Sequence, residues 1–217
     1  MRRLFTIFGV VVLMFVMLIP EAGNSTIIRP YGKVGYLLST PSAEDLGFVL
    51  VDGGSMDDAL ESSNTTYGFG VQMLHTLENT WIKKTNTRVG IDIGAQKLWH
   101  YEFQASDEST EWIGDEYDFY FMGLIEFAIE NSPLFFQGGL GLHIVFWSEE
   151  SEFEGTYSYE SDSDSGSGTN FSFMLAAGVD LPVNEKLKVP IILQLDNIFR
   201  YDLMPTLSVL AGVSIGF

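Results

Sequence analysis

The fold class this sequence predicts is all-β: an eight-stranded antiparallel up-and-down transmembrane β-barrel. Three observations predict it. Apolar residues recur at every second position through segments of about ten residues, with Gly and isolated charges between them. The connections between those segments alternate long and short. Eighteen acidic residues and no Lys or Arg fall in the three long connections, 39–63, 104–116 and 149–169. Most basic residues beyond the N-terminal segment (Arg29, Lys33, Lys83, Lys84, Arg88, Lys186 and Lys188) lie toward the opposite end.

Composition narrows the function classes. The 217-residue chain has 29 Asp and Glu against 11 Lys and Arg, a formal net charge of −18, yet it is 46 % hydrophobic. That apolar content sets it apart from disordered acidic chains. The acidity argues against nucleic acid as a partner, because phosphate binding needs a basic surface. With no Cys, a disulfide framework, a thiolate metal site, a Cys nucleophile and a lipid-modified N-terminal Cys are excluded.

Residues 1–25 read as a secretory signal. Arg2 and Arg3 supply the basic start, an uncharged apolar run covers 4–19, Pro20 ends it, and Ala22, Gly23, Asn24 and Ser25 follow. The run is shorter than the ~20 residues a spanning helix needs. No second helix-length apolar run follows it.

The barrel occupies 26–217. A weak first strand runs over 31–38. In 67–74, Tyr67, Phe69, Val71 and Met73 alternate with Gly68, Gly70, Gln72 and Leu74. In 88–98, Val89, Ile91, Ile93 and Ala95 oppose Arg88, Gly90, Asp92, Gly94, Gln96 and Leu98. The same pattern repeats in 117–130, 134–147, 171–181, 187–200 and 206–217. Period two with many Gly and β-branched residues excludes a helical reading.

Alternation alone leaves the direction of the apolar face open: inward around a greasy ligand, as in soluble lipocalin-like barrels, or outward to lipid. Mid-strand charges of both signs on the polar face (Asp92, Glu126, Asp196) favour the outward choice, since they can compensate one another in a narrow lumen. Aromatic residues near strand ends also favour it: Tyr31, Tyr67, Trp99, Tyr117, Phe146, Phe199 and Phe217 read as interfacial girdles.

The final segment, Gly212-Val213-Ser214-Ile215-Gly216-Phe217, ends on an apolar-face aromatic residue. It resembles the terminal strand of bacterial outer-membrane barrels. The whole mature chain resembles small barrels of the OmpA/OmpX/OmpW type. The resemblance implies an outer-membrane location with outer-membrane lipids as surroundings. It also implies an insertion machinery that reads Gly212, Ile215 and Phe217. No appended periplasmic domain is expected.

Eight strands enclose a lumen that side chains fill. Its charges (Lys33, Arg88, Asp92, Glu126, Glu130, Asp180, Lys188 and Asp196) are therefore expected to pair as a structural network. Turn register predicts Asp180 with Lys188, Arg88 near Glu130, and Lys33 reaching Asp196.

Catalysis would need a nucleophile beside a His and an acid. The candidates are His75, His100 and His143. His143 falls on an inner face near Tyr120 or Met122, and its own strand has no Ser two positions away. No enzyme activity, cofactor or metal centre is expected. The run 162–168 (DSDSGSG) resembles a calcium loop superficially but lacks the downstream bidentate Glu, so it reads as a solvated loop. The clustered carboxylates would attract divalent cations weakly. The expected function is non-enzymatic: envelope structure or surface interaction through acidic loops. The alternatives are a narrow channel or transporter for small or hydrophobic solutes, and then a lipid-modifying enzyme.

Overall fold

The computed structural model describes residues 26–39, 60–77, 82, 84–104, 110–154, 159–198 and 205–217. The signal segment 1–25, most of the connection 39–63 and Phe199 lie outside the described residues. The strands are β1 Thr26–Leu37, β2 Leu60–Ser63, β3 Thr65–Thr76, β4 Thr85–Gln104, β5 Thr110–Ile129, β6 Leu134–Glu154, β7 Tyr159–Pro182, β8 Leu187–Ile198, β9 Thr206–Gly212 and β10 Ser214–Gly216.

Each strand pairs antiparallel with its neighbours in the order β10-β1-β3-β4-β5-β6-β7-β8-β9. The ring closes because β1 pairs with β3 on one side and with β9 and β10 on the other. Eight staves result, with β9 and β10 forming one stave interrupted at Val213 and β2 continuing the line of β3 across Asn64. Closure removes the sheet edges, so every stave finds backbone partners on both sides.

The alternation in the sequence becomes an inside and an outside. On β8, Ile191 is 41 % exposed and Gln194 is 1 % exposed. On β6 and β7, Leu140, Leu142, Phe171, Phe173 and Leu175 point outward, while Gln137, His143 and Ser172 are buried. Apolar outside and polar inside is the arrangement hydrocarbon demands. With cysteine probes on the folded barrel in vesicles, lipid-phase quenchers should reach I191C and spare Q194C. The opposite result would invert the fold reading.

Short turns join strands at one end. Asn131 adopts φ 58° between β5 and β6, a conformation Asn tolerates well. Between β7 and β8 the Asn184 side-chain oxygen accepts from the backbone N–H groups of Lys186 at 2.9 Å and Leu187 at 2.8 Å.

At the other end the structure departs from the sequence reading. The segments 104–116 and 149–169 are not simply loops. The ladders of β4 with β5 and β5 with β6 continue out to Gln104↔Glu111 and Thr110↔Phe153. That of β6 with β7 continues to Glu154↔Tyr159. The run 162–168 lies within β7, paired to β6. Hydrophobic alternation stops where lipid stops, but backbone pairing does not need it, so Ser- and acid-rich residues continue the strands into water.

Two aromatic assignments also change. A register shift between Lys97 and Trp99 reverses the parity of β4. Trp99 therefore turns inward and packs with Leu37, Leu98, Tyr101 and Val145. Tyr31 is inside as well, packed with Phe135, Ile192 and Leu210. Tyr67, Tyr117, Phe146 and Phe217 are exposed on the outer surface.

Candidate functional site

The lumen is the chemically dense part of the molecule. Its glycines seat large inner side chains: a Cβ at Gly70 would collide with the Tyr31 ring, and one at Gly94 with the Tyr120 ring. Those two rings then meet across the barrel, their hydroxyls 2.6 Å apart, and the Tyr31 hydroxyl also donates to Asp92 at 2.6 Å.

Arg29 anchors the end with the short turns. Its guanidinium donates to Glu126 at 2.8 Å, to Gln72 at 3.0 Å and to Asp180 at 3.3 Å, and it lies 4.7 Å from the centre of the Phe135 ring. Arg88 pairs with the other oxygen of Glu126 and lies 3.9 Å from Asp180. Gln137 donates to Glu126 at 2.8 Å, and Gln72 donates to Asp92 at 3.1 Å. Two guanidiniums and two carboxylates thus neutralise one another away from water, the condition under which buried charge is tolerable.

Further along, Lys33 pairs with Asp196 and lies 5.3 Å from the Tyr120 ring centre. Gln194 donates to both oxygens of Asp196 at 2.7 Å. A separate group lies beyond Tyr120. Gln96 donates to Asp118 Oδ2 at 2.9 Å, and His143 Nδ1 lies 2.7 Å from the same oxygen. His143 Nε2 lies 3.1 Å from Ser172 Oγ.

The structure places the residues read from the sequence unevenly. Lys33 and Asp196 meet. Arg88 meets Glu126 rather than Glu130, which is exposed beside the short turn. The chain geometry explains the shift: Arg88 lies directly across from Glu126 in the ladder, four residues before Glu130. Asp180 pairs with Arg29 rather than Lys188. It lies opposite Pro190, and Lys188 is offset to Pro182 on one side and Ser214 on the other. Asp92 is held by Tyr31 and Gln72.

Sequence reading missed Arg29, Gln72, Gln137, Tyr31 and Tyr120 as network members. The period-two run Arg29-x-Tyr31-x-Lys33 carries a signal for two of them, since the inner-face parity of Lys33 extends back through Tyr31 to Arg29. It also missed Ser172, which reaches His143 from the neighbouring strand.

Outside the lumen, Lys97 and His100 supply basic contacts to the acidic extension, His100 Nε2 also lying 3.1 Å from Glu102. Lys97 Nζ lies 2.5 Å from Asp115, and His100 Nδ1 lies 2.9 Å from it. Partial burial pushes the Asp115 carboxyl up, but hydrogen bonds from Lys97 and His100 outweigh this and hold it below the ordinary carboxylate range. Among the described residues, no group of three or more His, Cys, Asp or Glu is arranged to hold a metal.

An apolar exterior, closed hydrogen-bonded staves and a charge-compensated interior define a transmembrane β-barrel with a filled lumen. No protein-family model and no curated protein matches the sequence. Solved structures similar to it include Ail, the attachment invasion locus protein of Yersinia pestis, at 12 % identity and TM-score 0.46, covering 89 % of this chain and 99 % of that one. Neisserial surface protein A is similar at 13 % identity and TM-score 0.41, covering 88 % and 97 %. The N-terminal β-barrel domain of Pseudomonas aeruginosa OprF is similar at 11 % identity and TM-score 0.38, covering 89 % and 98 %.

Proposed function

We propose that this chain is an outer-membrane barrel that holds an acidic β-ribbon above the membrane surface, with a structural or surface-interaction role that needs no catalysis. One observation carries the reading: β4 to β7 extend as paired strands past the outer aromatic residues and present Glu102, Glu111, Glu150, Glu152, Asp162 and Asp164 there. A paired ribbon presents those carboxylates in fixed rows. Such rows suit a basic partner surface, and they would also collect divalent cations weakly.

The short turns and both ends of the described barrel lie at the opposite end, which on this reading faces the periplasm. Gly212, Ile215 and Phe217 would serve there as the signal for the insertion machinery. Ile215 and Phe217 are exposed on the outer face. At Gly212 a Cβ would collide with the backbone of Pro30 and Tyr31, so this position is also constrained by strand packing.

Protease added to intact cells tests the reading. Trimming within the acidic ribbon beyond Tyr117 and Phe146, with the core protected and the protein extracted only by detergent, is the expected result. Cleavage that requires the periplasm to be opened first, or recovery in the aqueous fraction, would sink it. The filled lumen supports the structural role over the channel. Wild-type protein in planar bilayers should show no reproducible single-channel steps.

A further inference from the structure

We propose that Trp147 is the seat for an arginine side chain of a basic protein partner, the guanidinium stacking on the indole and pairing with the carboxylates around it. This deepens the reading of the ribbon as a surface for a basic partner, and rests on it. Parity places the residue. The ladders of β6 with β5 and with β7 run without a register shift from Phe135 out to Phe153. Trp147 therefore keeps the facing of Gln137, His143 and Val145, which are buried in the lumen. Its neighbour Phe146 takes the lipid side with Tyr117. Trp147 is thus no girdle residue. It follows Val145 of the apolar cap, on the face that looks across the mouth of the barrel, and it is 44 % exposed.

The indole is held from below. A Cβ at Gly166 would collide with its six-membered ring, and one at Gly168 would lie 3.8 Å from the same ring. The ring spans β7 where two side chains are missing. Tyr101 is seated the same way one row further out, since a Cβ at Gly114 would collide with its ring. Burial and the Glu149 carboxylate push the Tyr101 hydroxyl up, so it stays protonated and donates to Glu149. Groups already held in place lose little freedom when a ligand covers them.

The neighbours of the Trp147 ring are acids. Trp147 lies opposite Glu116 on β5 and two residues before Glu149 on its own strand, and Glu149 lies opposite Asp164 on β7. All three share the indole's side of the sheet. The segments 98–116 and 147–165 contain no Lys or Arg. Among the described residues no cation lies over this ring, whereas Arg29, Lys33 and Lys97 each lie over another aromatic ring. The site therefore offers a π-face and negative charge to a cation from outside.

A guanidinium suits this seat better than an ammonium. It is planar, stacks on a ring and still directs its edge donors at carboxylates beside that ring. A second copy in the same membrane does not supply it from its ribbon, because those segments bring the same acids to the same height. A Trp and an Arg that meet in this way are the residue types that dominate binding energy at protein interfaces.

The test uses the full barrel in zwitterionic phosphatidylcholine vesicles, with dye-labelled octa-arginine and octa-lysine followed by fluorescence anisotropy at about 0.15 M salt, where distant charges are screened. Wild type is expected to bind octa-arginine more tightly than octa-lysine. W147L should weaken octa-arginine by about 3- to 30-fold, the reach of a cation–π contact, and shrink the preference between the peptides. G166A should do the same with the indole still present, because the added Cβ pushes the ring off its seat. Gel mobility without heating checks that each variant is folded, and the peptide preference of the wild type needs no variant. Equal affinity of wild type for the two peptides, or unchanged octa-arginine binding in folded W147L, would overturn the proposal and leave the ribbon as a surface for basic partners. Failure of wild type to bind octa-arginine at all would overturn both.

Discussion

Arg29→Met should destabilise the folded barrel by about 3–5 kcal/mol, the cost of stripping one partner from a buried ion pair. Arg29 is fully buried and is the group that bridges Glu126 to Asp180. Without it, two carboxylates share the single guanidinium of Arg88, which lies 3.9 Å from Asp180. Gln72 also loses a donor at 3.0 Å. Urea unfolding of the barrel in detergent or vesicles, followed by gel mobility without heating, would measure the effect. Arg29→Lys should fall between the wild type and Met: it restores a charge but cannot fork between two acids. Adding Asp180→Asn to Arg29→Met should recover part of the loss. An Arg29→Met barrel within about 1 kcal/mol of wild type would refute the assignment of this network as the lock of the turn end.

The second large effect concerns Lys33 and Asp196. Each single neutralisation, Lys33→Met or Asp196→Asn, should cost about 3–5 kcal/mol, because the surviving charge is buried with its partner gone. Asp196→Asn leaves Lys33 beside the Tyr120 ring. Lys33→Met leaves Asp196 with the amide of Gln194 as its remaining donor among the described contacts. The double variant should lose much less than the sum of the singles, since no charge is then stranded. A double-mutant cycle reads this directly. A coupling energy below about 0.5 kcal/mol would mean that the two groups act independently, against the geometry.

Both predictions involve interactions of very different legibility. Lys33 with Asp196 could be reached from the sequence because the last strand carries Ser208, Gly212 and Ser214 inward, leaving a Lys on the first strand free to pass them. Arg29 could not, because Glu126 on β5 and Asp180 on β7 each sit three staves from β1, across the lumen, where turn register between neighbouring strands gives no guide. Arg88 shows the same limit at short range. Sequence parity put it on the inner face, but choosing Glu126 over Glu130 required the register of the β4–β5 ladder. Trp99 shows how one local irregularity defeats parity: past a single bulge, a girdle residue becomes part of a cap. The Ser172–His143–Asp118 group was invisible for a related reason, since a search along one strand does not see a diagonal across two ladders.

The sequence by itself determined the inner and outer faces along the regular stretch of the strands, though not at Tyr31 or past the bulge at Trp99, how many staves there are, and which end carries the acids. Those properties follow from period two, from the spacing of turns and from the distribution of charge, all of which are local. Only the tertiary structure decided which inner group meets which, and how far the strands run past the membrane. Partner choice depends on register and stagger around a closed ring, set jointly by eight ladders. Strand length in water depends on backbone pairing, for which side-chain alternation leaves no mark.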